Sequence, residues 1–232
     1  MYPFCFGGHD FLAMQDAALF WPARRALLVA DLHLEKASWY ALRGQMLPPY
    51  DSMATLERVN RLINRTDAQE LWALGDSFHD AAGVERLAPD VAEGLRTLSR
   101  RIDLHWIAGN HDGLSGAALG GEVHEDVLLN GVVLRHHADP SDKRAEISGH
   151  FHPVWCVSGR GRHVRRRCFL HDRRKLVMPA FGTLAGGLDA RDPIYQAILD
   201  KHAQALVPLS DRLLQFPVYP DAVRTSSIAS CA

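Results

Sequence analysis

Residues Ala26-Leu27-Leu28-Val29-Ala30-Asp31-Leu32-His33 carry five apolar side chains in a row, and an aspartate and a histidine follow. A short apolar run of this length is typical of a strand buried on both faces. The same arrangement returns in runs that end on Gly75-Asp76 and on Gly109-Asn110-His111-Asp112, and amphipathic segments separate these runs. This pattern predicts parallel strands alternating with helices, with polar side chains at the carboxyl end of each strand.

The remaining segments complete the predicted fold. Apolar residues at helical spacing predict helices that begin near Asp51 and near Pro89. After Asp112 the helical spacing stops, and turn residues divide short apolar segments that are typical of strands. The predicted strands cover 70–74, 103–107, 123–128, 131–136 and 145–148, followed by a hairpin of 164–170 with 175–178 and a short helix at 193–202. We expect one domain over residues 1–218 and a disordered tail over residues 219–232.

The composition excludes several classes of protein. With 232 residues and 47% hydrophobic side chains, the chain can bury a core without disulfide bonds. Its 26 Lys and Arg against 27 Asp and Glu exclude a generally basic nucleic-acid coat, and neither a membrane span nor a secretion signal is expected. The four cysteines form no CxxC pair, so we expect free thiols in a reducing cytoplasm. The 13 histidines are unusual and indicate a site that uses imidazole.

Histidines and carboxylates gather where the predicted strands end. The segments are Asp31-x-His33, Gly75-Asp76, Gly109-Asn110-His111-Asp112, His136-His137 and Gly149-His150-Phe151-His152. Because the carboxyl ends of strands in an α/β sheet share one crevice, we expect these segments to converge. Imidazole, carboxylate and one amide oxygen, without thiolate, suit Mn, Fe or Zn. Seven or more ligands indicate two ions about 3.5–4 Å apart, as in enzymes that displace a leaving group at phosphorus.

In this order the segments resemble the signature of the calcineurin-like metallophosphoesterases, from about residue 28 to residue 152. Within that superfamily, Val29-Ala30-Asp31-Leu32-His33-Leu34-Glu35-Lys36 and Met178-Pro179-Ala180-Phe181-Gly182 resemble the bacterial ligase-associated DNA damage response metallophosphoesterases. The resemblance implies a four-layer α/β/β/α sandwich of the α/β class. It also implies two divalent metal ions as cofactors, with Mn favoured and Fe or Zn as alternatives.

The resemblance implies a ligand set residue by residue. The ligands of one ion would be Asp31, His33 and His152. The ligands of the other would be Asn110, His150 and a histidine of the 136–137 pair, and Asp76 would bridge the two ions. His136 is preferred to His137 because Leu134-Arg135-His136 matches the family's pattern. Glu35 stands where the wider family often has glycine, and we expect it to be a surface acid.

Other histidines need separate interpretations. Paired with Asp112, His111 could hold the tautomer that donates a proton to the leaving oxygen. His79 lies near Asp76, the predicted bridging residue. It could contact the substrate or the metal ligands, or it could be a plain loop residue, and the sequence favours neither interpretation. Four histidines match no motif and are expected to be ordinary surface or packed residues: His9, His105, His124 and His202.

A run of positive charge follows the last predicted ligand. It comprises Arg160, Arg162, His163, Arg165, Arg166 and Arg167, and then His171, Arg173, Arg174 and Lys175. Arginines along a groove bind the phosphate backbone of nucleic acids without regard to sequence. Substrate contacts are therefore predicted for Arg160, Arg162, Arg165, Arg166 and Arg167. His79 is added as a candidate substrate contact because it lies near the predicted bridging acid. The alternative for the arginines is a solvated hairpin face or an oligomer contact.

Together these features predict a soluble cytoplasmic phosphoesterase in which metal-activated water attacks a phosphodiester. The resemblance favours DNA as the substrate, repair or end processing as the context, and a DNA ligase or helicase as the partner. Two alternatives stay open. One is an enzyme acting on another phosphoester of nucleotide size, and the other is a nucleic-acid-binding scaffold with structural metals.

Overall fold

Two stacked β-sheets form the centre of the molecule, in a computed structural model that describes residues 1–113, 115–159 and 161–220. The strands are β1 (Tyr2–Phe6), β2 (His9–Ala13), β3 (Leu19–Trp21), β4 (Ala26–Val29), β5 (Glu70–Leu74), β6 (Asp103–Ile107), β7 (Glu122–His124), β8 (Val127–Leu129), β9 (Val132–Arg135), β10 (Ala145–Ser148), β11 (Pro153–Gly159), β12 (Arg162–Arg167), β13 (Phe169–His171), β14 (Lys175–Val177), β15 (Leu188–Asp189), β16 (Gln204–Pro208) and β17 (Leu213–Pro217). The α-helices are α1 (Lys36–Ala41), α2 (Asp51–Thr66), α3 (Gly83–Arg86) and α4 (Pro89–Arg101). Short 3-10 helices cover Pro22–Arg24, Ser115–Leu119 and Pro193–Ala197.

The first large sheet follows chain order from β1 to β7. Strands β1 to β4 pair antiparallel, whereas β4 to β7 pair parallel, because the helices between them carry the chain back across the sheet. The second large sheet has the order β17-β16-β13-β14-β10-β9-β8, in which β14, β10 and β9 are parallel. A small third sheet has the order β12-β11-β15.

An apolar layer joins the two large sheets. Leu28, Trp72 and Ile107 from the first sheet belong to one buried cluster with Leu134 and Ile147 from the second. These residues face inward because successive side chains on a strand alternate between its two faces. The two sheets are thereby held face to face, so loops from both can meet along one edge.

Helices α2 and α4 cover the outer face of the first sheet. Leu56 and Val59 of α2 and Leu95 of α4 are buried in one cluster with Val29 and Ala73 of the sheet. The apolar residues recur at helical spacing, and this spacing places them on one side of each helix. None of the helices in the described ranges is long and apolar enough to cross a lipid bilayer.

The outer face of the second sheet is covered differently. Tyr195 in the last 3-10 helix is buried with Ile198 against Leu170 and Val177. The Tyr195 hydroxyl donates a hydrogen bond to the carbonyl oxygen of Phe151 at 3.0 Å. The predicted α/β sandwich is confirmed, and within the described part of the chain this fourth layer consists of a 3-10 helix and the small sheet.

Several predicted elements differ from the observed ones. The predicted strand at 123–128 is two strands, because the chain passes from the first sheet to the second between β7 and β8. The predicted hairpin of 164–170 with 175–178 is also corrected, since β12 pairs with β11 and only β13 pairs with β14. A single apolar pattern cannot show which sheet a strand joins. Of the tail predicted to be disordered, residues 221–232 lie outside the described ranges.

Candidate dinuclear metal centre

The loops after the parallel strands are tied to one another by backbone hydrogen bonds. The amide nitrogen of Asp31, after β4, donates to the carbonyl oxygen of Gly75, after β5, at 3.2 Å. The amide of His33 donates to the carbonyl oxygen of Asp76 at 2.9 Å. From the second sheet, the amide of His150 donates to the Asp31 carboxylate at 3.0 and 3.1 Å. These bonds bring polar residues from distant parts of the chain to one edge of the sandwich.

The backbone of the predicted ligands is unusual. A left-handed conformation is rare for residues other than glycine and costs roughly 1–3 kcal/mol at each position. It occurs at Asp31 (φ 54°), His33 (φ 44°), Asp76 (φ 45°), His150 (φ 71°) and His152 (φ 48°). The hydrogen bonds between the loops hold these conformations. Five of the ten non-glycine residues with positive φ in the described ranges are predicted ligands, and strain at such polar residues is typical of a functional site.

Asp31, His33 and His152 form the first cluster. Nε2 of His33 lies 3.2 Å from Nε2 of His152, and Nε2 of His152 lies 3.3 Å from Oδ1 of Asp31. The Asp31 side chain is fully buried, and His33 is 6% exposed. The buried Asp31 carboxylate therefore lies close to ring nitrogens of both His33 and His152.

Asp76, His136 and His150 form the second cluster. Nε2 of His136 lies 3.3 Å from Oδ2 of Asp76 and 3.2 Å from Nδ1 of His150. The other ring nitrogen of His136, Nδ1, donates to the carbonyl oxygen of Leu74 at 3.1 Å. Nδ1 of His136 also lies 3.8 Å from Oδ1 of Asp31. The two clusters are therefore adjacent, and a residue of each reaches the other.

The donor atoms fit a pair of divalent cations. Ligand atoms about 2.1 Å from one ion in tetrahedral or octahedral geometry lie about 3.0–3.4 Å apart. The contacts of 3.2 and 3.3 Å within each cluster fall in this range. Because Nδ1 of His136 donates to Leu74, Nε2 is the ring nitrogen that could bind an ion between Asp76 and His150. Mixed imidazole and carboxylate donors suit Mn, Fe or Zn.

In the metal-free clusters the electrostatics favour the deprotonated form of three of the residues, whereas contacts with Asp76 and Asp31 raise the pKa of His136 despite its burial. Burial and then the neighbouring His152 lower the pKa of His33 from 6.5 to about 3. Burial and then His136 lower the pKa of His150 to about 4. Burial acts to raise the pKa of Asp76, but the hydrogen bond with His136 and further contacts outweigh it and lower that pKa to about 2. At neutral pH these three groups offer lone pairs to a cation.

Asn110 and the histidine pair occupy one wall of a cavity beside the second cluster. Asn110, His136 and His137 line this cavity together with Gly109. His136 enters the second cluster, whereas His137 donates from Nδ1 to the carbonyl oxygen of Ala138 at 3.0 Å. The His137 ring packs 4.6 Å from the His150 ring, centroid to centroid. Of the two alternative ligands, His136 rather than His137 places a ring nitrogen beside the Asp76 carboxylate.

His111 lies at the mouth of the centre. Its side chain is 48% exposed, and its Nε2 is 3.7 Å from Oδ2 of Asp76. Its backbone amide donates to Oδ1 of Asp76 at 3.0 Å, so the loop is fixed while the ring stays accessible. The ring centroid lies 5.7 Å from that of His33.

The role predicted for Asp112 is corrected. Its buried carboxylate accepts hydrogen bonds from the backbone amides of Phe78 at 3.0 Å and of Gly109 at 3.1 Å. A carboxylate engaged in this way organises the loops after β5 and β6 rather than the His111 ring. Adjacent residues in a turn point in different directions, and the sequence spacing does not show this.

Glu35 is also placed differently from the sequence-based expectation. It is buried, with 8% of its surface exposed, and its Oε1 accepts a hydrogen bond from the hydroxyl of Ser52 at 2.7 Å. Its backbone amide donates to the same hydroxyl oxygen at 2.8 Å. Glu35 therefore joins the ligand loop after β4 to the first turn of α2. Neither residue stands out in the sequence, because the contact depends on the path of the intervening loop.

A group of aromatic side chains that the sequence did not predict lies beside the first cluster and consists of His79, Trp39 and Tyr40. Nδ1 of His79 lies 3.4 Å from Nδ1 of His33, and the His79 ring stacks 5.9 Å from that of His111. Trp39 and Tyr40 of α1 contact the other side of His79, with centroid distances of 4.8 and 6.4 Å. His79 is thus in contact with a predicted ligand.

Four arginines of the basic run lie on β12, an edge strand: Arg162, Arg165, Arg166 and Arg167. Arg173 and Arg174 lie in the turn between β13 and β14. Arg165 donates to the carbonyl oxygen of Gly187 at 2.7 Å, and Arg167 donates to that of Gly182 at 2.7 Å. Gly182 in turn donates its amide to the carbonyl oxygen of Asp31 at 3.1 Å. Arg162 and Arg166 are exposed. The strand therefore flanks a loop that contacts the metal-binding residues, while Arg160 lies outside the described ranges.

Two glycines allow the loops to approach so closely. A Cβ on Gly75, which has φ of 75°, would lie 2.2 Å from Nδ1 of His136. A Cβ on Gly109 would lie 2.1 Å from the backbone nitrogen of Asp76. Both contacts are too short for any side chain, so the site requires glycine at each position.

Comparisons with known proteins identify the family of this chain. The family model described as calcineurin-like phosphoesterase matches residues 24–195. Among solved structures, the chain is similar to the nuclease MPE of Pseudomonas putida, with 30% identity, a TM-score of 0.72, and coverage of 92% of this chain and 98% of that chain. It also matches Yfce, a phosphoesterase from E. coli, with 17% identity, a TM-score of 0.41, and coverage of 83% and 98%. A comparison with curated proteins returned no match.

Proposed function

The chain belongs to the calcineurin-like phosphoesterase family, and from this premise we propose that it is a dinuclear, metal-dependent phosphodiesterase that acts on DNA in repair or end processing. The contact that carries the proposal is the 3.8 Å between Nδ1 of His136 and Oδ1 of Asp31. It places the two three-residue clusters next to each other, and this supports a single site that binds two ions. The subfamily we propose is that of the bacterial ligase-associated metallophosphoesterases, with a ligase or helicase as partner and the cytoplasm as location.

In the proposed site, each cluster would hold one ion, and Asp76 would contribute to both. The residues that would hold the ions are Asp31, His33, Asp76, Asn110, His136, His150 and His152. When bound, two divalent ions, Mn in our proposal, lower the pKa of a coordinated water and neutralise charge on the phosphoryl oxygens. The protein's own contribution is to fix the ligands. The bond from His136 to Leu74 sets the ring tautomer, and backbone bonds hold the loops.

His111 is the proposed proton donor to the leaving oxygen. Its ring is half-exposed at the mouth, and Asp76 lies 3.7 Å from its Nε2. The open side of the ring leaves room for the leaving oxygen. His79 stacks on the far side of His111 and limits how its ring turns.

DNA is the proposed substrate because of two supporting observations. The exposed Arg165 donates to Gly187 and the half-buried Arg167 donates to Gly182, in the loop that contacts Asp31. Fixed positive charge beside the metals would bind backbone phosphates on either side of the scissile bond. The second observation is the similarity to a solved nuclease that matches almost end to end.

A panel of substrates tests the proposal. The protein reconstituted with Mn²⁺ would be assayed on bis-p-nitrophenyl phosphate, on p-nitrophenyl phosphate, and on single- and double-stranded DNA. We expect metal-dependent hydrolysis of the diester and of DNA. Hydrolysis of small esters without DNA binding at low salt would favour an enzyme of nucleotide-sized substrates. No turnover on any of them would favour a scaffold with structural metals.

A further inference from the structure

We propose a third metal site, for a zinc ion, formed by His105, Glu122 and His124 at the open edge of the sandwich. Nδ1 of His105 lies 3.2 Å from Nε2 of His124, and both nitrogens lie 3.7 Å from Oε2 of Glu122. These three ligand atoms come together on β6 and β7, away from the loops of the dinuclear centre. The sequence indicated only incidental histidines here, because the two are 19 positions apart.

The strand register explains why the three side chains meet. In the parallel pair of β6 and β7, His105 stands opposite Glu122, and Ile107 stands opposite His124. Residues two apart on a strand share a face, so Glu122 and His124 point to the same side as His105. The site is therefore built by two short lengths of regular strand and does not depend on a flexible loop.

Neighbouring side chains orient the first ligand. The Trp72 ring stacks on the His105 ring at 3.9 Å between centroids, with an angle of 12° between the planes. Trp72 is itself held, because its Nε1 donates to Oε2 of Glu70 at 2.9 Å, and Glu70 pairs with Arg24 at 2.8 Å. A stacked and tethered ring keeps its nitrogen aimed in one direction, as a metal ligand requires.

The chemistry of the three donors matches zinc. Two imidazole nitrogens and one carboxylate oxygen are a known three-ligand set for Zn²⁺, with a fourth position for water. The site opens into a cavity of about 550 Å³ that would admit this water. The Glu122 carboxylate faces both rings and would supply negative charge to a cation between them.

An ion at this position would tie the edge strand β7 to β6. Strand β7 has three residues, and the chain crosses to the second sheet directly after it. Asp126, in this crossing, pairs with Arg135 at 3.0 Å, and Arg135 precedes the ligand His136. Zinc would hold one end of the segment that leads to the dinuclear centre.

Zinc bound per chain, counted by elemental analysis of the full-length protein after gel filtration, tests the proposal. We expect His124→Ala to bind one zinc ion fewer than the unmodified protein, and the matched change of the exposed His202→Ala to bind the same number. The readout is a difference between variants. Its failure is therefore distinguishable from a failure of the dinuclear site, which would lower the total in every variant.

A second variant guards against loss of folding. The Glu122 side chain is 73% exposed, so Glu122→Gln leaves the fold intact while removing a charged ligand. We expect it to weaken zinc binding at this site at least ~10-fold, since even outer partners of metal ligands matter by that factor. Anomalous diffraction from zinc-soaked crystals should then show a peak between His105 and His124 in the unmodified protein. Equal zinc content in all variants, or the lack of that peak, would overturn the proposal and leave a histidine–histidine hydrogen bond.

Discussion

Nδ1 of His136 donates a hydrogen bond to the carbonyl oxygen of Leu74 at 3.1 Å, and this contact determines which ring nitrogen faces the metal centre. With Nδ1 engaged, Nε2 is directed to Asp76 at 3.3 Å. A backbone carbonyl from β5 thus orients a ligand from the second sheet. The packing of the two sheets against each other therefore helps to orient the His136 ring.

Replacing His136 should abolish activity, and replacing its neighbour should not. His136→Ala removes a donor from the second cluster, and we expect diester hydrolysis to fall at least ~100-fold, with weaker metal binding. His137→Ala is the matched control, because that ring packs against His150 and Phe151 and bonds to Ala138. We expect it to retain activity within a few-fold. Equal losses in both variants would show that the assignment of His136 is wrong.

Replacing His111 should separate chemistry from metal binding. We expect His111→Ala to retain both ions and to lose roughly 10²–10⁴-fold in turnover, the usual contribution of a general acid. The loss should be smaller for substrates with a good leaving group, since p-nitrophenolate needs no proton. Metal content and turnover on both DNA and bis-p-nitrophenyl phosphate would be measured. Unchanged turnover on DNA rules out the proposed proton transfer.

The buried contact of Glu35 with Ser52 should contribute to stability. Ser52→Ala leaves the Glu35 carboxylate and backbone amide without their partner, and we expect a loss of about 1–3 kcal/mol in the free energy of unfolding. Glu57→Gln, an exposed change on the same helix, is the control and should have little effect. Chemical denaturation of the metal-free protein measures both. A loss as small as that of the control would show that the contact is unimportant.

The metal-free protein should lose stability below pH 6.5. The pKa values of His33 and His150 in the folded state, about 3 and 4, lie below the ordinary value of 6.5. Between these folded-state pKa values and 6.5, the unfolded chain therefore binds more protons than the folded protein. The free energy of unfolding consequently falls as the pH drops through 6.5. His136, whose pKa is raised despite its burial because of Asp76 and Asp31, opposes part of this effect. Thermal unfolding of the metal-free protein from pH 7.5 to pH 5 checks the trend, and His33→Gln should flatten it. A melting temperature that rises toward pH 5 contradicts it.

Charge on β12 should govern DNA binding and its dependence on salt. Arg165 is exposed on the edge strand beside the Gly187 loop, and Arg165→Gln should reduce the slope of log K against log salt by ~1. Arg212→Gln, an exposed arginine paired with Asp211 at 2.7 Å, serves as the control. Binding would be measured by fluorescence anisotropy with a labelled oligonucleotide and catalytically inactive protein. Identical slopes for both variants would remove β12 from the proposed groove.

The central strands and the converging segments could be predicted from the sequence because short apolar runs ending in Asp, Asn and His have a direct physical meaning. The split of 123–128 into β7 and β8 could not be predicted, since a change of sheet leaves the apolar pattern unbroken. The same holds for the meeting of His105 with His124, which depends on the register between two parallel strands. Burial of Glu35 depends on the path of the loop before α2.

Titration of the metal-free protein with Mn²⁺ while following hydrolysis of bis-p-nitrophenyl phosphate tests the central claim most directly. Because the clusters around Asp31 and Asp76 are adjacent, we expect turnover to appear only as the second ion binds. Asp31→Asn and Asp76→Asn should each abolish that turnover. Full activity with one ion per chain, or undiminished activity without metal, would contradict the proposed dinuclear mechanism.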